Sequence, residues 1–286
     1  MNIKKIITKI LSFYKRISYR FCILVLPSAH LPVVITFTGG MGAQLASAAI
    51  YFKLKREGRK VFADLSYFDA PPHYAKPGLK GDISHWDWQL NYFGLELITF
   101  ERLPVANLKC VEVISDGPKK AYLAFQALRI PEIQKKFPLN LRAMAFDQFE
   151  ILSSSYLCIH IRRGDYVNVA EHLISNDDFI DIAIKFSNVM SNLIVLSDSS
   201  FDTELKKKIT GYKHIFFVDN SDPFTAHTIM RNANILVCSN SQFSLSAALL
   251  NEKGLIFLPK NWFGKNRKLN KQISFISRSC NFELLS

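Results

Sequence analysis

The chain has 286 residues, of which 49% are apolar, 13% aromatic and 21% charged, and its formal net charge is +12. Such a composition excludes intrinsic disorder and leaves room for a large core divided between two domains. Cys22, Cys110, Cys158, Cys238 and Cys280 form no C-x-x-C pair, which excludes a disulfide framework and a structural zinc site and suits a reducing compartment.

In chain order, the first feature is basic. No acidic residue precedes Glu57, while nine Lys or Arg do. Ile3, Ile7, Ile10, Tyr14, Ile17 and Phe21 share one helical face, with Lys5, Lys9, Arg16 and Arg20 opposite. Residues 1–30 therefore read as a basic amphipathic segment lying on an anionic membrane surface, or as a helix capping the first domain. The apolar run 21–26 is too short to span a bilayer, which takes about 20 residues. A secretory signal fits less well, because apolar residues are spread through the basic region. The expected location is cytoplasmic, peripheral on the inner face of the cytoplasmic membrane.

Residues 33–37, Val-Val-Ile-Thr-Phe, read as a buried strand. A glycine turn, Gly39-Gly40-Met41-Gly42, leads into a helix over 43–56 and a second strand over 60–65. Strand, turn, helix and strand make a βαβ unit of a parallel sheet. Residues 70–94 form a loop or insertion rich in Pro, Gly, His, Trp and Tyr. Residues 118–150 are helical in tone, and Ser153-Ser154-Ser155 marks a boundary. The division is 1–30, 31–152 and 153–286. Beyond it the βα rhythm restarts, with strands over 156–161, 193–196, 214–218, 234–238 and 255–258. Helices are expected between them over 177–188, 201–209, 223–232 and 243–251. Five alternations predict a doubly wound α/β domain.

Four places carry chemistry. Cys158 to Tyr166 reads C-I-H-I-R-R-G-D-Y, a buried strand opening onto His160, Arg162, Arg163, Gly164 and Asp165. Adjacent guanidiniums there suit phosphate oxygens, which they meet bidentately; a structural ion-pair cluster is the alternative. The run Ser239-Asn240-Ser241-Gln242-Phe243-Ser244 joins a strand to a helix. It suits anion binding at a helix N-terminus, or plain N-capping by Asn240 or Ser241. Asp198 ends a strand and either caps the next helix or faces the crevice. The glycine turn, with Gly40, Gly42 and Gln44, allows a ligand to approach the backbone. His85 and Trp88 lie in the aromatic insertion, where they face an acceptor or pack the loop. No His, Cys, Asp and Glu spacing fits a metal ligand set.

These motifs resemble those of glycosyltransferase family 11, the α-1,2-fucosyltransferases. His160 to Tyr166 resembles the family's H-x-R-R-G-D-Y, and Gly39 to Leu45 its G-G-L-G-N-Q motif. Leu196-Ser197-Asp198 resembles S-D-D, and 230–247 the segment containing N-S-T-F-S-W-W. Ala43 stands where the family has Asn, and Leu245-Ser246 replaces the two tryptophans. The resemblance implies an α/β fold of the GT-B type, with two Rossmann-like domains facing a cleft. It implies inverting, metal-independent transfer from GDP-fucose, with no cofactor. Another GDP-6-deoxyhexose, such as colitose, stands as an alternative donor. Arg162 would be catalytic, at the donor β-phosphate. His160, Arg163, Asp165, Asp198, Asn240, Ser241, Gln242 and Ser244 would bind the donor. Gly40, Gly42, Gln44, His85 and Trp88 would line the acceptor side. The acceptor would be a glycan hydroxyl, with lipid-linked glycans among the candidates, in bacterial surface polysaccharide or O-antigen synthesis. The competing classes are a metal-dependent glycosyltransferase of another family and a non-catalytic or differently specific sugar-nucleotide binder. A nucleic-acid partner is not expected, because the basic ends carry few interleaved aromatics.

Overall fold

A computed structural model describes residues 31–69, 87–100, 111–115, 118–139, 154–164, 174–262, 267–280 and 282–285. The basic segment 1–30, most of the aromatic insertion including His85, the end of the helical stretch before 150, and Asp165 lie outside the described residues. The chain forms two compact units. The described residues up to Lys136 make the first, except Gly40–Gly42, which group with the second; the second runs on from Phe137.

The first unit is built on a three-stranded sheet of order β2-β1-β3, with β1 Val33–Thr36, β2 Val61–Asp64 and β3 Glu112–Ile114. Both pairings are parallel. β1 lies in the middle, which is why its residues are β-branched and largely buried. Gly39 has a φ of 68°, a left-handed turn that suits glycine, just before helix α1, Met41–Arg56. Leu45, Ala48, Ala49 and Tyr51 on α1 are fully buried. A short helix α2, Ser66–Asp69, follows β2. Helices α3, Pro118–Leu128, and α4, Pro131–Gln134, complete the unit. Strand β3 was absent from the sequence expectation. It is three residues long and carries Glu112, whose carboxylate pairs with Arg59 at 3.0 Å.

The second unit is doubly wound. Its strands are β4 Tyr156–Ile161, β5 Asn192–Ser197, β6 His214–Asp219, β7 Ile235–Val237, β8 Leu255–Pro259 and β9 Glu283–Leu285. Its helices are α5 Asn176–Phe186, α6 Thr203–Lys208, α7 Pro223–Asn232, α8 Gln242–Leu249 and α9 Arg267–Cys280. The sheet order is β6-β5-β4-β7-β8-β9, and every pairing is parallel. All of β4 is buried, and successive side chains feed opposite layers, as the two-residue strand period dictates. Tyr156 and Cys158 join a core with Ile229, Met230 and Ala247. Leu157, Ile159 and Ile161 join another with Phe179, Ile180 and Leu205. The chain starts at the centre, runs outward to β6, then returns to lay β7 on the other side of β4. Strand order therefore reverses between β4 and β7, and the carboxyl ends of these strands flank a crevice where ligands bind in open α/β sheets.

Candidate active site

Three strand ends meet at this reversal. His160 and Arg162 leave β4, Asp198 leaves β5, and Ser239 to Ser241 leave β7. Register explains the meeting of the first two, because Ile161 pairs with Ser197. One residue further along, Arg162 and Asp198 are neighbours, with Arg162 Nη1 2.7 Å from Asp198 Oδ2. Both side chains are mostly enclosed, 12% and 14% exposed. The other carboxylate oxygen, Oδ1, accepts the backbone N–H of Arg163 at 2.7 Å and of Gly164 at 3.1 Å. Asp198 does not cap the next helix. Asp202 does so, accepting from Glu204 N at 3.0 Å.

The Arg163 side chain folds back on its own loop, Nη1 donating to Arg162 O at 3.2 Å. Its Nη2 donates to Asn176 Oδ1 at the start of α5, and its guanidinium lies 6.0 Å from the centre of the Phe179 ring. Burial lowers its pKa, an effect opposed by Asp198. His160 is buried, and Nδ1 shares a hydrogen bond with Ser239 Oγ at 2.9 Å. Burial, and then the charge of Arg162, push its pKa down to about 3. The imidazole is therefore neutral at physiological pH. It is a hydrogen-bonding wall of the site and not a second cation.

The polar run after β7 folds in on itself. Ser241 caps α8, accepting from Phe243 N at 3.2 Å. Ser244 Oγ donates to the carbonyls of Ser239 at 3.0 Å and Ser241 at 3.2 Å. Asn240 Nδ2 donates to Trp262 O at 3.3 Å. Gln242 is exposed at the first position of α8. These bonds brace the N-terminus of α8 at the crevice, where the positive end of the helix dipole favours an anion. Seven of the eight residues expected at the donor site, namely His160, Arg163, Asp198, Asn240, Ser241, Gln242 and Ser244, lie at or just beyond the ends of β4, β5 and β7, as Arg162 does.

Gln44 and Trp88, expected on the acceptor side, belong to the first unit. Gln44 is fully buried, and its Nε2 donates to the carbonyls of Gly39 and Asp87, each at 2.8 Å. Its Oε1 accepts from Gln89 N at 2.8 Å. Gln44 thereby clamps the glycine turn to the segment carrying Trp88. That ring packs between Phe37 and Phe68, with both centroid separations 5.6 Å. Gly40 and Gly42 flank the first residue of α1 but group with the second unit, and Gly42 packs on the start of α8, where a Cβ would lie 2.5 Å from Phe243 N.

Sequence reasoning passed over Ser239, Asn176 and Lys120. Ser239 sat inside the flagged polar run. Asn176 lay at a helix start with nothing to link it to Arg163. Lys120 is buried in the first unit, and its Nζ donates to Thr36 O at 2.7 Å at the end of β1; a lysine in a helical stretch carries no such signal. Among the described residues, no three His, Cys, Asp or Glu side chains gather in a metal-holding group.

Two units on parallel sheets, the second doubly wound and carrying an arginine loop at its switch point, define an α/β protein. A family model described as Glycosyl transferase family 11 matches residues 118–277, more than half of the chain. The chain belongs to glycosyl transferase family 11, which includes the α-1,2-fucosyltransferases, and it is a glycosyltransferase. Similar solved structures include a crystal structure of POFUT1 in complex with GDP. The TM-score is 0.40 and the identity 12%, over 80% of this chain and 96% of that one. Another is E. coli heptosyltransferase WaaC with ADP, with a TM-score of 0.43 and 10% identity over 87% and 99% of the two chains. No curated protein matches the sequence.

Proposed function

We propose that the protein transfers fucose, or a related 6-deoxyhexose, from a GDP-sugar to a sugar hydroxyl, with inversion and without a metal. The observation that carries this reading is the arginine loop at the switch point of the second unit, inside the span that matches the family. In the reaction the bond between the anomeric carbon and the diphosphate oxygen breaks, and the acceptor oxygen bonds to that carbon. The acceptor hydroxyl gives up its proton, and the diphosphate leaves with added negative charge. Arg162 and the N-terminal amides of α8 supply fixed positive character where that charge grows. Neutral His160 adds no charge but walls the site. An α-1,2 linkage in surface polysaccharide or O-antigen synthesis is the family-based expectation for the product.

A thermal-shift panel tests the donor class. A ligand that binds only the folded state stabilises it by mass action, by about 2.7 kcal/mol at 100 times its Kd. GDP-fucose should raise the midpoint, while UDP-, ADP- and CMP-sugars leave it in place. Selective stabilisation by a UDP-sugar would overturn the donor assignment.

The segment 1–30 is assigned to an anionic membrane surface on its charge pattern. The full chain should co-sediment with vesicles containing anionic lipid, and less so as salt rises. Equal partition to neutral vesicles would remove that assignment.

A further inference from the structure

Asp198 is the group the mechanism above leaves without a task. We propose that it is a positioning residue, which aims Arg162 and tempers its charge, and is not a contact to the donor. This rests on the reading in which Arg162 meets the donor diphosphate.

The two oxygens of Asp198 do separate jobs. Oδ1 holds the loop through the N–H groups of Arg163 and Gly164. Oδ2 faces Arg162 Nη1 at 2.7 Å, is itself buried, and has no hydrogen bond in line. Asp198 Oδ2 is thus joined to the guanidinium as an ion pair. The space around Oδ2 is kept open by Gly164. A Cβ there would lie 2.5 Å from Oδ2, 3.3 Å from Cγ of Asp198 and 3.7 Å from Cζ of Arg162. Glycine at this position is what allows the carboxylate to approach the arginine.

Two opposite consequences follow. A carboxylate beside Arg162 weakens the pull of that cation on a bound diphosphate, so it lowers ground-state and product affinity. The same carboxylate fixes the guanidinium in place, so it raises turnover. A group that serves only the fold would move both quantities the same way.

Asp198→Asn separates the two roles. Its Oδ1 still accepts the two amides, while its Nδ2 cannot pair with a guanidinium. Gly164→Ala attacks from the other side, displacing the carboxylate but keeping its charge. Measured by calorimetry, GDP should bind Asp198→Asn several-fold tighter than the unaltered protein. Its kcat at saturating donor should fall about 100-fold, the scale of an ångström-sized misplacement. Gly164→Ala should lose kcat by a similar factor with no gain in GDP affinity. An Asp198→Asn protein that loses GDP affinity and turnover together would overturn the proposal and make Asp198 a donor contact or a structural brace. Unchanged kcat in either variant would overturn it as well. If Asp198→Asn does not fold, Gly164→Ala alone carries the test. The unaltered protein is the control for the donor. If it binds a different nucleoside diphosphate, the GDP reading fails, and the comparison among variants is made with that nucleotide.

Discussion

His160 stands two residues before Arg162, yet it contributes no positive charge. Burial is the main reason, and its pKa is held at about 3 against an ordinary 6.5. His227 is likewise lowered by burial, then by Arg231 and by His160. The linkage has a definite sign. An unfolded imidazole binds a proton near pH 6.5, and the folded one does not until far lower. The stability His160 contributes is therefore complete above about pH 6.5 and is lost as the pH falls toward about 3, and His227 acts in the same direction. For His160 the loss is up to about 1.4 kcal/mol per pH unit across that window. Denaturant titrations at pH 7.5, 6.5 and 5.5 should show falling stability, and His160→Gln should show a shallower fall. An unchanged slope in His160→Gln would show that the ring is protonated in the fold. Arg163 makes a different contribution, since its bonds go to Asn176 and Phe179 on α5. Arg162 in an ion pair is also what a purely structural arginine shows. What favours the functional reading is the place of the pair at the strand reversal.

At the scale of elements, the site depends on how β4 is seated. Tyr156 begins the strand, and its hydroxyl donates to Ile229 O on α7 at 2.7 Å, in a buried setting. Burial raises its pKa, so the phenol stays protonated and able to donate. Tyr156→Phe should lower unfolding free energy by about 1–1.5 kcal/mol, read from denaturant titration, with kcat unchanged. A matching loss of kcat would tie the α7 contact to the chemistry. Helix α7 itself was readable at its observed bounds. Asp222 and Pro223 are an N-cap and first-turn pair, and Asp222 Oδ1 accepts from Phe224 N and Thr225 N at 3.0 and 3.1 Å. Strand β4 was readable because a continuous apolar run is what a doubly covered strand needs. Strands β3 and β9 were not, since each has three residues, includes a glutamate, and pairs with one neighbouring strand only. Helix α9 was hidden by its basic residues, although Ile273 from it is buried in the core.

At the scale of the molecule, alternating strands and helices were enough to give the α/β class and the parallel sheet of the second unit. They could not give strand order, and the site depends on order. Only the return of β7 beside β4 brings Ser239 to His160, and only the β4–β5 register brings Asp198 to Arg162. The strand-end positions of the residues expected at the donor were legible, because each follows an apolar run. The roles of Gln44 and Trp88 were not, because a clamp and a packed ring use the same residue types as a sugar-facing surface. The central claim is that the guanidinium of Arg162 stabilises a departing diphosphate. It is tested most directly by kcat with GDP-fucose for Arg162→Lys, compared with the unaltered enzyme at equal fold stability. Lysine keeps the charge and loses the planar fork. The account predicts a fall of about 100- to 1000-fold, and turnover within a few-fold of the unaltered enzyme would contradict it.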